Sequence, residues 1–168
     1  MNKKDNIFLK NAVLDGITIV VVIFVMASIG IFGYRIFDEL NTDILNDEDF
    51  TLTEAQQSST ELHSKYPSLI DNLVLFAFVL LIIFTLVSVF LLDTHPIFFI
   101  ITVMLLVGVF LVSIILANTY DDIMQDDEFA DYANEFPYIT WLMTHLLELA
   151  ITTGFMLGIA LFIKFRVG

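Results

Sequence analysis

LVLFAFVLLIIFTLVSVFLL, residues 73–92, decides the fold of this chain. The stretch contains no charged residue, and a helix needs about 20 such residues to cross the hydrocarbon core of a bilayer. Three further stretches have the same character: VVVIFVMASIGIF (20–32), IFFIITVMLLVGVFLVSIIL (97–116) and LAITTGFMLGIALFI (149–163). The chain is 58% hydrophobic and 16% charged, whereas soluble domains carry about 25% charged residues. The sequence therefore predicts an all-α integral membrane protein with four transmembrane helices.

The four spans are expected to form one transmembrane domain, 1–168, built from two tandem helical hairpins. Each hairpin consists of two spans and the outer loop that joins them. The boundaries are, for the first hairpin (12–92), spans 16–34 and 72–92 with loop 35–71, and, for the second (96–164), spans 96–118 and 141–163 with loop 119–140. The lysines before the first span resemble the start of a signal peptide. The apolar run is long for a signal and no clear cleavage pattern follows it, so we expect a retained span.

Charge asymmetry predicts the orientation of the bundle. Lys3, Lys4 and Lys10 precede the first span, and Lys164 and Arg166 follow the last. Four spans put both termini on one side, and the positive-inside rule makes that side cytoplasmic or its topological equivalent. Residues 35–70 and 119–138, in the two outer loops, hold fifteen acidic residues against two basic ones, a net charge of −13. Such a charge argues against nucleic-acid binding, which needs clustered Lys and Arg.

The two outer loops contain the same eight-residue pattern. DILNDEDF at 43–50 and DIMQDDEF at 122–129 both consist of Asp, two apolar residues, an amide, three acids and Phe. Asn-Thr precedes each motif, and an aromatic–proline pair, Tyr66-Pro67 or Phe136-Pro137, precedes the next span. We interpret the halves as a parallel internal repeat, related by a pseudo-two-fold axis along the membrane normal. Chance convergence of two acidic loops is the alternative.

The same loops are expected to form a short helical, acidic cap on the non-cytoplasmic side. The spacing of Phe37, Leu40 and Ile44 predicts that the first span continues as a helix beyond the bilayer. Residues 53–65 begin like a capped helix and are expected to form a short extra one. Neither motif contains the central Gly of an EF-hand, so we expect a partner-facing surface and no metal or cofactor. The acids assigned to this surface are Asp43, Asp47, Glu48, Asp49, Asp122, Asp126, Asp127 and Glu128.

Inside the spans, His145 and Glu148 form an ionisable pair at i, i+3 on one helix face. An intramembrane carboxylate indicates either passage of protons or cations, or a polar clamp between helices. Four glycines are expected to allow close helix packing: Gly154 and Gly158 in a GxxxG pattern, and Gly30 and Gly33 in the first span.

No nucleophile–base pair or phosphate-binding loop is present in the sequence, so we expect no enzyme. The first hypothesis is a structural or assembly subunit of a larger membrane complex, such as that of a virion membrane. It would be a homo- or hetero-oligomer that contacts lipid and binds membrane or capsid-like proteins through its acidic loops. The second hypothesis is an oligomeric cation channel or holin-like pore, in which Glu148 and the acidic rings concentrate cations. A proton-coupled transporter is a third.

Overall fold

The computed structural model describes the backbone of residues 3–46, 53–91 and 97–167. Within these ranges the chain is helical and contains no strand; the helices are α1 (Lys3–Asn46), α2 (Thr53–Leu91), α3 (Ile97–Met124), α4 (Tyr132–Glu135), α5 (Pro137–Thr144) and α6 (Leu146–Val167). Four helices are long and apolar enough to cross a membrane, over Thr18–Asn46, Gln56–Val87, Leu106–Met124 and Leu146–Lys164. The all-α class and the four apolar helices are thus confirmed. Asp47, Glu48 and Asp49 lie outside the described residues, as does the connection 92–96.

The four long helices form a bundle in which α1 packs against α2 and α3, and α6 packs against the same two helices. Helices α1 and α6 therefore occupy opposite corners. The short helix α5 packs against both α2 and α3, at the end of the bundle remote from the termini. We call the part of the chain at this end the head; it comprises residues 35–46, 53–71 and 119–140.

Helices α1 and α2 form a long antiparallel hairpin that continues into the head. The Ser59 hydroxyl donates a hydrogen bond to the Asn41 side-chain oxygen at 2.8 Å, near the top of the hairpin. Further down, a Cβ added to Gly30 would lie 2.5 Å from Cγ2 of Ile70. Because the two contacts are eleven residues apart on both helices, the hairpin keeps one register along its length.

The head is more helical than the sequence indicated. Helix α1 continues to Asn46, as the apolar spacing predicted. The prediction of a separate short helix over 53–65 was wrong, because α2 begins at Thr53 and continues through Pro67 without a break. Packing against α1 along the whole hairpin offsets the hydrogen bond that a proline removes from a helix interior. The described residues of the predicted outer loop 35–71, which are 35–46 and 53–71, are all helical.

The most deeply buried side chains lie in the half of the bundle next to the head. Helix α5 contributes Ile139, Leu142 and Met143, each 0% exposed, and Phe136 just before it is equally buried. Further from the head, a partly open apolar cavity of ≈ 90 Å³ is lined by side chains of α1, α2, α3 and α6. Large apolar side chains cover the outside of the long helices, such as Phe155 at 73% exposure. A lipid environment covers such surfaces.

Candidate functional site in the head

A buried carboxylate at the base of the head joins the hairpin of α1 and α2 to a second hairpin, in which α3 packs against α5 and α6. Asp71, on α2, is 2% exposed. Its Oδ2 accepts a hydrogen bond from the backbone N–H of Tyr138 at 3.0 Å, and its Oδ1 accepts one from Ile139 at 2.7 Å. These two N–H groups belong to the first turn of α5, where backbone donors have no partner within the helix. Asp71 therefore caps α5 from another helix, at the end where the helix dipole favours a negative charge.

The local sequence explains why α5 begins at this point and why its cap comes from elsewhere. Phe136 has a non-helical backbone (φ −121°, ψ 64°) and provides no side-chain cap hydrogen bond. Pro137 occupies the first turn, where its fixed φ suits a helix and its missing N–H is no loss. Because Phe136 fills the core instead of capping, the donors of Tyr138 and Ile139 depend on Asp71.

An aromatic cluster around Tyr34 holds the lower part of the head together. The Tyr34 ring stacks on His63 and Tyr66 of α2, with centroid distances of 5.1 and 5.8 Å. It also makes edge contacts with Tyr132 of α4 at 5.7 Å and with Phe136 at 5.5 Å. Such pairs contribute beyond the area that they bury. A single tyrosine of α1 thus contacts α2, α4 and the residue that precedes α5.

Asp38 forms a polar bridge above this cluster. Its Oδ1 lies 2.8 Å from Nε2 of His63, and its Oδ2 accepts a hydrogen bond from the Tyr132 hydroxyl at 3.2 Å. Partial burial and the negative charge of Asp38 raise the pKa of Tyr132 above its usual value. The Tyr132 hydroxyl therefore keeps its proton and its role as donor at neutral pH. Asp38 links α1, α2 and α4 through one carboxylate.

The second acidic motif is docked onto α1 through its last two residues. Nη2 of Arg35 lies 2.7 Å from Oε2 of Glu128, and the guanidinium lies 4.8 Å from the centre of the Phe129 ring. Phe129 is 8% exposed and makes an edge contact with Phe32 at 5.0 Å. Glu128, which the sequence assigns to the partner-facing surface, pairs with Arg35 within the chain while its side chain stays 63% exposed, so that assignment stays a prediction. The sequence signal for this contact was that Arg35 is one of only two basic residues in the outer segments.

The other described acids of the two motifs are exposed. Asp43 lies in the last described turn of α1, Asp122 lies in the last turn of α3, and Asp127 lies in the turns that follow α3. Asp126 is also exposed, and its Oδ1 accepts the backbone N–H of Glu128 at 3.0 Å, which closes the turn locally. In the part of the chain that the structure describes, no three His, Asp or Glu side chains are grouped so as to hold a metal ion.

His145 and Glu148 both lie on the outer surface of the bundle. His145 ends α5, and its Nδ1 lies 3.0 Å from the carbonyl oxygen of Trp141. The imidazole also stacks on the Trp141 ring at 5.2 Å. Among the described contacts no hydrogen bond joins His145 to Glu148. The interior beside them is lined by apolar side chains such as Leu146, which is 2% exposed. A pore that uses Glu148 would therefore require several copies of the chain.

The four candidate packing glycines differ in their surroundings. A Cβ at Gly30 would lie 2.5 Å from Ile70, one at Gly33 would lie 2.8 Å from the Tyr66 hydroxyl, and one at Gly154 would lie 2.7 Å from Cδ2 of Leu106. A Cβ at Gly158 would have no neighbour within 4 Å. Three of the four lie against another helix of the same chain, while Gly158 has open space beside it.

No protein family, no curated protein and no solved structure matches the chain. The sequence missed Asp71 because an acid in front of an apolar run resembles a simple span boundary. One signal could have found it: Glu135-Phe136 before Pro137 provides none of the Ser, Thr, Asp or Asn residues that usually cap a helix start. A helix that begins without a local cap requires an acceptor from elsewhere in the fold.

Proposed function

We propose that this chain is a non-enzymatic assembly subunit of a larger membrane complex, whose head binds a basic, amphipathic segment of a partner protein. The observation that carries the proposal is an apolar groove on the head between α1 and α2, with a volume of ≈ 440 Å³. The groove is lined by Gly33, Ile36, Phe37, Leu40, Leu62, Tyr66 and Leu69.

The groove exposes large apolar side chains at the outer ends of two candidate spans, and we place it beyond the reach of lipid tails. Ile36, Leu62 and Leu69 are each at least 60% exposed. Tyr138 and Trp141 on α5 are half-exposed, as is typical of aromatic residues at the membrane interface. Ile139 lies between them and is level with Gly30, since a Cβ at Gly30 would be 3.9 Å from Ile139 Cδ1.

The groove extends beyond that level. Ile36 to Leu40 lie six to ten residues further along α1, which is about 9–15 Å further from the hydrocarbon core. Contiguous apolar surface in that position is typical of a protein–protein interaction site.

The charge of the head determines the chemistry of the partner. Two acids of α1 lie near Leu40: Glu39 directly precedes it, and Asp43 follows it by about one helical turn. On α2, Glu61 directly precedes Leu62, and its Oε1 lies 2.6 Å from Nζ of Lys65. Residues 35–70 and 119–138 together carry a net charge of −13. A second copy of this chain would oppose acid to acid across the groove. In a helix with Lys or Arg on either side of an apolar stripe, the stripe would pack into the groove and the positive charges would face the acids at its rim.

Site-specific photo-crosslinking in native membranes tests this proposal. A photoreactive residue at Leu62, 61% exposed in the groove, is compared with one at Leu111, which is 59% exposed on α3. We expect the Leu62 variant to label a protein segment rich in Lys or Arg, with a yield that falls as salt is raised. The Leu111 variant is expected to label lipid. Labelling of lipid alone at both positions, or of an acidic segment at Leu62, would contradict the proposal.

The finer architecture belongs to the same proposal. Both termini lie on the cytoplasmic or equivalent side, and the two hairpins are parallel repeats whose outer ends form the acidic head. One feature supports the repeat: α1 is helical as far as Asn46, where the described residues stop, and α3 is helical as far as Met124, so both helices reach into their acidic motifs. Labelling of single cysteines introduced at Asp43, Asp127 and Lys164 from one side of the membrane tests the orientation. Accessibility of all three positions from the same side would contradict it.

A further inference from the structure

Glu148 occupies the middle of the outward face of α6. At about 100° per residue, the buried residues Leu146, Ala160 and Leu161 all lie more than about 110° away from it around the helix. Glu148 is inside the apolar segment Leu146–Lys164 and is itself exposed. An ionisable group in a membrane helix normally faces protein or a water-filled cavity, because a charge facing lipid is unfavourable. The bundle of a single chain leaves this carboxylate on its lipid-facing surface.

Other side chains on the same face form a continuous seam. The residues Trp141, His145, Glu148, Thr152, Phe155 and Ile159 are all exposed and follow one another at alternating steps of four and three. This spacing is the a/d pattern of a left-handed helix pair. The backbone hydrogen bonds from His145 to Trp141 (3.1 Å) and from Leu149 to His145 (2.9 Å) carry the helix through the junction of α5 and α6. The upper half of the seam is polar and the lower half is apolar.

We propose that a second copy of this chain packs against this seam, in parallel, about a two-fold axis along the membrane normal. The inference rests on the proposed function as an assembly subunit and adds the partner that covers α5 and α6. The observation behind it is that an exposed intramembrane carboxylate and an exposed imidazole share one seam with Thr152.

The seam is complementary to itself. Around the helix, Thr152 lies about 40° and His145 about 60° from Glu148 in the same direction. Thr152 is therefore central, with Glu148 on one flank and His145 on the other. A two-fold axis brings opposite flanks of the two copies together, so each Glu148 meets the other copy's imidazole. Polar side chains that bond across helices stabilise association within a bilayer. The groove on the head has acids at its rim and no such self-complementarity.

The chain contains no cysteine, so single-cysteine variants test the contact directly. In liposomes with a low protein-to-lipid ratio, Thr152→Cys is expected to form a disulfide-linked dimer under mild oxidation. Leu111→Cys, on the exposed surface of α3, is the matched control and is expected to remain monomeric. Adding Glu148→Leu to the Thr152→Cys chain is expected to raise the dimer dissociation constant about tenfold. Far-UV circular dichroism and thermal unfolding of each variant confirm that the fold is retained.

Three results would overturn the inference: equal cross-linking at both positions, no cross-linking at Thr152→Cys, or a cross-linking yield that Glu148→Leu leaves unchanged. A Thr152→Cys product with a different protein in native membranes would overturn it too. The proposed function is tested separately at Leu62. Labelling there without a Thr152→Cys dimer removes only this inference, and a dimer without labelling at Leu62 removes only the partner surface on the head.

Discussion

The same aromatic–proline pair has opposite structural effects in the two hairpins. Tyr66-Pro67 lies inside α2, which continues on both sides of it, whereas Phe136-Pro137 separates α4 from α5. Pro67 sits on a helix that α1 supports along its length. Pro137 follows a phenylalanine that leaves the helical conformation to fill the core. The comparison teaches that packing partners, rather than the proline itself, decide whether the helix continues.

The two situations are also connected. The residue that caps α5 after its break, Asp71, lies one turn after Pro67 on the uninterrupted helix. The break in the second hairpin is stable because the first hairpin is not broken. Four sets of variants can sharpen or refute this relation, in order of decreasing expected effect.

Asp71→Ala is expected to lower the free energy of unfolding by about 3 kcal/mol, because two buried N–H groups lose a charged acceptor. Equilibrium unfolding in mixed detergent micelles, followed by circular dichroism, measures the change. Asp71→Asn keeps one acceptor oxygen, so its free energy of unfolding is expected to lie between that of Asp71→Ala and that of the unchanged protein. Asp43→Ala, an exposed acid on α1, is the control and should change stability by less than about 0.5 kcal/mol. Equal effects of Asp71→Ala and Asp43→Ala would refute capping across the two hairpins.

Gly30→Ala and Gly158→Ala compare the packing of the two hairpins. At Gly30 the new methyl group would lie 2.5 Å from a β-branched side chain, Ile70, which has little freedom to move away. Overpacking of this kind is expected to cost about 2 kcal/mol. At Gly158 nothing lies within 4 Å, so Gly158→Ala is expected to change stability by less than about 0.5 kcal/mol. The same unfolding assay, in micelles that keep the protein monomeric, measures both variants. A larger loss of stability in Gly158→Ala than in Gly30→Ala would contradict this comparison.

Arg35→Gln is expected to loosen the second acidic segment while leaving the bundle intact. The substitution removes the ion pair with Glu128 and the contact with the Phe129 ring. Hydrogen–deuterium exchange of the Phe129 and Ala130 amides, which bond to Asp126 within the turn, should become severalfold faster. Lys65→Gln, which removes an exposed pair on α2, is the control and should leave those amides unchanged. Unchanged exchange in Arg35→Gln would show that the segment does not depend on α1.

The smallest effect is expected from Tyr132 at high pH. Partial burial and Asp38 raise the pKa of this tyrosine in the folded protein above its value in the unfolded chain. Its contribution to stability is therefore complete below about pH 10 and is lost as the pH rises through the raised folded value. Tyr132→Phe should flatten the alkaline decline of stability between about pH 9 and pH 12. An alkaline decline that Tyr132→Phe leaves unchanged would contradict this contribution of Tyr132.

The sequence could predict whatever depends on local composition. The apolar runs indicate four long helices, and the spacing of Phe37, Leu40 and Ile44 indicates that α1 extends into the head. The centre of the head depends on contacts between distant residues: Asp71 caps donors 67 and 68 residues away, and Tyr132 bonds Asp38 across 94 residues. No periodicity within a helix encodes such pairs. For the same reason Glu128 resembles a free surface acid until α1 brings Arg35 beside it.

The acceptor for the start of α5 is carried by α2 and not by the chain that leads into α5. The last membrane crossing can therefore take its final shape only after the second crossing is in place, which imposes an order on biogenesis. It also means that both the acceptor and the donors of this contact between the hairpins are carried by helices. Two separately synthesised halves of the protein are therefore expected to associate in a membrane through this contact.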